Sequence, residues 1–338
     1  MNQKIIILYD TPMRNCDKLW VASGLRGKGY EVGVLSCPCS IFQLEKKGKM
    51  GRLFAKTLIM LQCIWAVFIT GKTDVIFCWN HWTGLIMNML AGKKRRIISY
   101  NWLTPQVNPK TRWVYAKALQ NPKLAAIINC EDNYERLLND YQVKDNKNIY
   151  YIPDVYDDAV EFQTPQIPKG EKYCFMGGIE NRDWELLFEV AGQCPDIQFV
   201  GVTSKSVKSE LGQLPVNVRM YYDVTAEEYY EMMEKSYLCI CLLREERVSG
   251  LINILKAAQL GKIMLVTKTA ITQIYYPAEC KKFLVCGRDA KAVKEKIECA
   301  YQLSAAEYEQ AALTIQHFIQ NNYAPARAID KLEEIINS

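Results

Sequence analysis

Histidine is nearly missing from this chain: there are two, His81 and His317, in 338 residues. Cys-x-x-Cys pairs are missing as well, so no zinc site of ordinary spacing is expected and the metal set is empty. No low-complexity tract interrupts a composition of 49% hydrophobic and 23% charged residues, which suits soluble domains with sizeable cores. The longest apolar run, Thr57–Thr70 (TLIMLQCIWAVFIT), falls short of the roughly 20 residues a membrane-spanning helix needs. No leader pattern opens the chain either, since Met1–Asp10 reads as a strand entering a turn. The expectation is a cytoplasmic protein. Its thirteen cysteines, among them Cys78, Cys130, Cys174, Cys239 and Cys241 in apolar strands, are then reduced and buried.

Positive charge is abundant but unevenly placed. Residues 1–112 hold 17 Lys/Arg against 5 Asp/Glu, a net of +12; the whole chain is +5, so residues 113–338 sum to −7. Lys46, Lys47, Lys49, Arg52 and Lys56 form one cluster and Lys93–Arg96 (KKRR) a second. Such a face suits an anionic surface. Nucleic acid is the poorer candidate, because no binding motif or RNP-like aromatic strand accompanies the charge. The apolar run behind the first cluster has two readings. It is a buried helix of an α/β domain, or a peripheral helix laying basic flank and apolar face on the cytoplasmic membrane.

Strands alternate with helices along the whole chain. Lys4–Tyr9, Tyr30–Leu35, Asp74–Cys78, Arg96–Ser99, Leu124–Cys130 and Asn148–Ile152 read as buried strands. The Pro-bearing segment Gln163–Glu171 reads as a linker. A second series follows: Lys172–Met176, Asp196–Val200, Val216–Met220, Tyr237–Leu243, Ile263–Thr267 and Phe283–Val285. This pattern predicts an α/β protein of two Rossmann-like domains, 1–165 and 166–320, with a cleft between them. A C-terminal helix over 321–338 is expected to pack back across the interface. Ligands of doubly wound sheets bind beyond the carboxyl ends of strands, which directs attention to the loops there.

Two such loops carry phosphate-binding chemistry. Gly177-Gly178 follow one strand, with Arg182 at the start of the next helix; Ser249-Gly250-Leu251 open a helix after the strand ending at Leu243, with Arg244 and Arg247 close by. Exposed N–H groups at a helix start, plus a guanidinium, cradle a diphosphate. The plainer reading is a tight glycine turn and a Ser that merely caps its helix. Neither stretch is a GxGxxG fingerprint, so a dinucleotide cofactor is not implied.

At this point the C-terminal half resembles the donor domain of GT-B fold glycosyltransferases, in particular the large retaining, metal-independent family of bacterial polysaccharide enzymes. IYYIPDVYDD, FMGGIENRDWELLFEVAGQCPDIQFVGV, YYDVTAEEYYEMMEKSYLCICLL, SGLINILKAAQLGKIMLVTKT and IQHFIQNNYAPARAIDKLEEIIN resemble that family's successive units in order, over about residues 147–338. The chain departs from the family at its Glu-x7-Glu pair: Lys256 stands where the second Glu is usual, as in a Ser-Gly branch lacking the full pair. The usual acceptor-side His is replaced by Tyr100 or Asn101.

The resemblance implies transfer of a sugar from a nucleotide-diphosphate sugar, UDP-sugar foremost, to an acceptor hydroxyl, with no cofactor. A lipid-linked saccharide in surface polysaccharide or glycoconjugate synthesis is the implied acceptor. It assigns the diphosphate to Gly177, Gly178, Arg182, Arg244, Ser249, Gly250 and Leu251, and the base to Tyr222 and Val224. Asp10, Arg14 and Tyr100 fall on the acceptor side. His81, Asn101 and Glu246 are the catalytic candidates, His81 being the better placed of two imidazoles. A non-catalytic GT-B scaffold, binding nucleotide-sugar or a partner enzyme, stays open as the alternative.

Overall fold

The computed structural model describes residues 3–13, 19–41, 44, 48–92, 94–102, 109–144 and 147–338. They form two compact units, Met1–Pro153 with Pro325–Ser338 and Asp154–Ala324. Each is built on a six-stranded parallel sheet, so the α/β doubly wound reading holds, and each strand of the sequence pattern is present.

In the first unit β1 (Lys4–Tyr9), β2 (Glu31–Ser36), β3 (Val75–Cys78), β4 (Arg96–Ser99), β5 (Leu124–Ile128) and β6 (Ile149–Tyr151) stand in the order β2-β1-β3-β4-β5-β6. Its helices are α1 (Trp20–Gly27), α2 (Gly48–Ile69), α3 (His81–Ala91), α4 (Arg112–Leu119) and α5 (Asp132–Tyr141). Near-continuous apolar strands such as VIFC and LAAII are buried throughout because helices cover both sheet faces. Ile6, Leu8, Ile76, Ile97, Leu124 and Ala126 meet the inner sides of α2 to α5 in one core.

In the second unit β7 (Tyr173–Gly177), β8 (Gln198–Thr203), β9 (Val218–Tyr222), β10 (Leu238–Cys241), β11 (Met264–Thr267) and β12 (Leu284–Val285) stand in the order β12-β11-β10-β7-β8-β9. The helices are α6 (Trp184–Gln193), α7 (Ala226–Lys235), α8 (Leu251–Gln259), α9 (Ala290–Tyr301) and α10 (Ala305–Asn322). Buried tyrosines tie layers together by donating to main-chain oxygens, Tyr237 to Ala300 and Tyr308 to Tyr237, both at 2.8 Å.

Two expectations need correction. The boundary lies at Pro153/Asp154, ahead of the expected 165/166. The cause is hydrogen bonding: Gln259 Nε2 donates to the Asp157 and Val160 carbonyls and Gln316 Nε2 to that of Gln163, which fastens this segment to the second unit. The C-terminal helix, α11 (Pro325–Asn337), starts a few residues later than expected and returns to the first unit. It packs on α1 so closely that a Cβ on Gly24 would lie 2.4 Å from Ile329, and Lys28 pairs with Asp330 and Glu333. Finally, the apolar run belongs to a helix that starts at Gly48 and so includes Lys49, Arg52 and Lys56. It is not a buried helix: Leu53, Phe54, Leu61, Trp65 and Phe68 face solvent. Lys46 and Lys47 lie outside the described residues.

None of the cysteines among the described residues is in a disulfide, and those expected in the strands are buried.

Candidate functional site

The sheet of the second unit reverses its winding between β7 and β10, whose neighbours β8 and β11 lie on opposite sides. Doubly wound sheets open their ligand crevice at such a point. The two loops that leave it, 178–183 and 242–250, are laced together. Asp183 N donates to Leu242 O at 3.0 Å and Arg244 N to Asn181 O at 3.2 Å. The Asn181 side chain, on a residue with φ +56°, donates to Glu245 O at 2.9 Å and accepts from Glu245 N at 3.0 Å.

Arg182 lies at the centre and is only 7% exposed. Its Nε donates to Gly177 O at 2.8 Å, and Nη1 donates to Glu180 O and to Ser249 Oγ, each at 3.0 Å. Nη2 has no acceptor among the described residues. Gly177 O also accepts from Asn253 Nδ2 at 3.0 Å, which in turn donates to the Tyr229 hydroxyl at 2.8 Å. A Cβ at Gly177 would lie 2.2 Å from that hydroxyl, so the turn needs a glycine. At Gly178, φ is +127° and a Cβ would meet the guanidinium at 2.7 Å.

The expected convergence of Gly177, Gly178, Arg182, Arg244, Ser249, Gly250 and Leu251 is therefore present, but their tasks differ from those assigned. Gly178 N donates to Val202 O at 3.0 Å, continuing the β7–β8 ladder, so it is no phosphate donor. Ser249 does not cap α8: Gly250 is the N-cap residue, at φ +80°, and no side chain caps the helix. The Ser249 hydroxyl instead accepts from Arg182 and donates to Glu180 O at 3.3 Å. α8 thus begins with uncapped N–H groups from Leu251 onward, beside a guanidinium 3.8 Å from where a Gly250 Cβ would stand. A helix N-terminus and a buried arginine together make an anion site.

Arg244 is half-exposed and lies 3.9 Å from Glu185 Oε1. Glu185 also faces Arg288, 3.6 Å away, whose guanidinium holds the fully buried Asp183. Asp183 caps α6 through Leu186 N at 3.2 Å, a role the sequence pattern NRDW carries but which was not assigned. Asn181, Asn253 and Tyr229 were missed as well. No local period marks them, because their partners lie in other elements.

Tyr222 ends β9 and Val224 follows it, both half-buried, with Lys208 Nζ 5.2 Å from the Tyr222 ring centre. Two strand spacings, about 10 Å, separate β9 from β7, comparable with the span of a nucleoside diphosphate. Glu246 is not a free carboxylate: Oε1 accepts from Ala270 N at 2.9 Å and secures the loop after β11. Lys256 is buried on α8, its ammonium 4.6 Å from the Tyr230 ring centre; burial lowers its pKa and Asp157 opposes that shift.

In the first unit the corresponding reversal lies between β1 and β3. Asp10 accepts from Asn80 Nδ2 at 2.8 Å, and Asn80 caps α3 through Thr83 N at 2.9 Å. Arg14 lies outside the described residues. Tyr100 is no open acceptor contact but a buried ring, 5.4 Å from Trp79 and 6.1 Å from Trp20. Asn101 follows at φ +49° and is half-buried. His81 is the first residue of α3 and is 7% exposed, among Trp82, Trp102 and Tyr115. Burial pushes its imidazole down to about 4, with the Asn101 backbone opposing part of the shift. At neutral pH it is an uncharged ring and a poor proton acceptor, which corrects its catalytic assignment. Among the described residues, no three His, Cys, Asp or Glu side chains gather as a metal-holding group.

No protein family model matches the chain, and no curated protein matches it. Solved structures match over its whole length. A glycosyltransferase from Rickettsia africae ESF-5 superposes with a TM-score of 0.71 at 14% identity, covering 99% of this chain and 98% of that one. HepE of Anabaena, in complex with UDP and glucose, gives 0.66 at 13% identity and covers 100% of both chains. An α,α-trehalose-phosphate synthase (UDP-forming) from Burkholderia xenovorans, in complex with glucose-6-phosphate, gives 0.70 at 10% identity, again over 100% of both. The fold is GT-B, that of these glycosyltransferases.

Proposed function

We propose that this chain is a retaining, metal-independent glycosyltransferase that takes a sugar from a nucleotide-diphosphate sugar, UDP-sugar foremost. The acceptor in this reading is the hydroxyl of a saccharide or lipid-linked saccharide, in surface polysaccharide or glycoconjugate synthesis. One observation carries it: the uncapped N-terminus of α8 stands beside the buried Arg182 at the sheet's reversal point. As the glycosidic bond breaks, negative charge grows on the departing diphosphate. Fixed N–H dipoles and the Arg182 Nη2 stabilise that charge without reorganising. The UDP-bearing GT-B structure of HepE, alike over its full length, supports the same class of donor.

The carboxylate and imidazole expected to act are engaged or buried: Glu246 holds Ala270 N, and His81 is shielded. With Lys256 in the usual Glu position, this favours a second reading, a scaffold that binds nucleotide-sugar without turning it over. Thermal-shift titration with UDP-, GDP-, dTDP- and ADP-sugars reports the donor. Release of UDP from the stabilising donor then separates enzyme from scaffold. No shift with any nucleotide-sugar overturns both readings, and loss of turnover in EDTA, restored by manganese, overturns metal independence.

A further inference from the structure

α2 has two opposite sides. At about 100° per residue, Gly51, Ala55, Ile59, Cys63 and Ala66 fall together, and all five are buried. The opposite side presents Met50, Leu53, Phe54, Leu61, Trp65 and Phe68 to solvent, with Met50 and Phe68 each 78% exposed and Trp65 58%. Mostly small side chains, with the single exception of Ile59, thus face the sheet and the aromatic ones face out, the reverse of a helix whose apolar face serves its own domain. A continuous row of large apolar side chains marks a surface that something covers.

The helix is also fastened along its length. Gln62 Nε2, at mid-helix, donates to the carbonyls of Tyr9 at 3.1 Å and Leu35 at 2.6 Å, at the carboxyl ends of β1 and β2. Arg95 Nη2 donates to Thr70 O at 2.6 Å, just past the C-terminus of α2. By length and composition the helix is able to cross a bilayer. Crossing would break these bonds and expose the small-residue seam. Lying flat would keep them.

Charge selects the occupant. Lys49, Arg52 and Lys56 are exposed beside the apolar row, and Gly48–Ile69 contains no Asp or Glu. A second copy, related by a two-fold axis, would set these like charges against one another with the helices parallel, or against the uncharged C-terminal half with them antiparallel, and α2 has no carboxylate to meet them in either arrangement. An anionic leaflet pairs with them instead. The neighbouring α3, packed on α2, adds exposed Trp82, Met89 and Leu90. The second basic cluster contributes less, since Arg95 is occupied with Thr70 and Arg96 with Ile335 O; Lys93 lies outside the described residues. We infer that α2 is an in-plane membrane anchor, its Met50–Phe68 row sunk to the headgroup–acyl boundary of an anionic phospholipid leaflet and its small-residue side kept on the sheet. The inference does not rest on the proposed transfer chemistry.

The test uses the full chain with vesicles of phosphatidylcholine, alone or mixed with phosphatidylglycerol. The apolar variant is Phe54→Ser/Leu61→Ser/Trp65→Ser/Phe68→Ser and the charge variant Lys49→Gln/Arg52→Gln/Lys56→Gln. All seven side chains are exposed, and thermal melts monitor folding. Wild type is expected to co-sediment with the anionic vesicles, and the apolar variant to stay in the supernatant even at low salt. The charge variant is expected to lose about a hundredfold in partitioning, and with it the preference for phosphatidylglycerol. Brominated lipids are expected to quench Trp65, read as the difference from Trp65→Phe, which remains decisive if the apolar variant misfolds. Equal pelleting of wild type and the apolar variant overturns the anchor. So does a wild-type dimer without lipid affinity that the apolar variant makes monomeric. Retention on vesicles through alkaline carbonate would make α2 a span and overturn the in-plane placement.

Discussion

The Arg182 guanidinium holds the end of β7 through Nε and joins the 178–183 and 242–250 loops through Nη1, and its Nη2 has no acceptor among the described residues. Arg182→Lys keeps the charge but loses the fork, so UDP affinity is expected to fall about tenfold while uridine affinity holds, measured by calorimetric titration. Equal affinity in variant and wild type would show that the arginine only braces the loops. Gly250 answers to a different constraint: its φ is +80° and a Cβ would meet Cys241 Sγ at 2.6 Å. Gly250→Ala is expected to cost about 1–3 kcal/mol in denaturant unfolding, partly recovered by adding Cys241→Ala. His81 sets a pH dependence. Its folded pKa, about 4, lies below the ordinary 6.5, so the unfolded chain binds the proton more readily. Its contribution is complete above 6.5 and is lost as pH falls from there toward 4, by up to about 3 kcal/mol. His81→Phe is expected to flatten that slope in urea titrations at pH 7 and 5; an unchanged slope would place the titration elsewhere.

Helix starts are where local pattern and tertiary contact compete. Asp183 caps α6 and is held by Arg288, whereas α8 begins at a glycine with no side-chain cap. Asp183→Ala is expected to destabilise the second unit by about 1–3 kcal/mol and to speed amide exchange in the first turn of α6. Ser249→Ala, by contrast, is expected to leave exchange in α8 unchanged, because its hydroxyl bonds Arg182 and Glu180 rather than the helix. Fraying of α8 in that variant would restore Ser249 as its cap. The sequence marked both helix starts correctly within a residue or two, since Gly, Ser and Asp punctuate helices locally. Which of them caps was decided by residues some 67 positions away along the chain, as Arg182 and Ser249 show.

The units differ in how they are closed. The second is one run of chain, whereas the first is completed by the last helix, α11, which buries Ala328, Ile329, Leu332, Ile335 and Ile336. Removing Pro325–Ser338 is therefore expected to destabilise the first unit by several kcal/mol. The second unit should keep its exchange protection in mass-spectrometric hydrogen exchange; uniform loss across both would mean that α11 supports the whole chain. Gly24→Val is expected to act in the same direction by driving a side chain into Ile329.

The sequence by itself determined twelve strands, their pairing into two parallel sheets, and the two loops at the carboxyl ends of β7 and β10 on which the proposed donor site rests. Those features follow from apolar runs, glycine and capping residues, whose effects act over a few neighbours. Tertiary structure alone decided which donors remain for a ligand. Gly178 N is taken by Val202 and two Arg182 nitrogens by the loops, while α8 keeps its N–H groups. It alone turned α2 outward, with Gly51, Ala55, Ile59, Cys63 and Ala66 on the sheet side and the aromatic side chains on the other. It also buried His81 among aromatic rings. The physical reason is common to all of these. A hydrogen bond or a buried face is assigned by whichever partner the fold brings nearest, and that partner lies far along the chain.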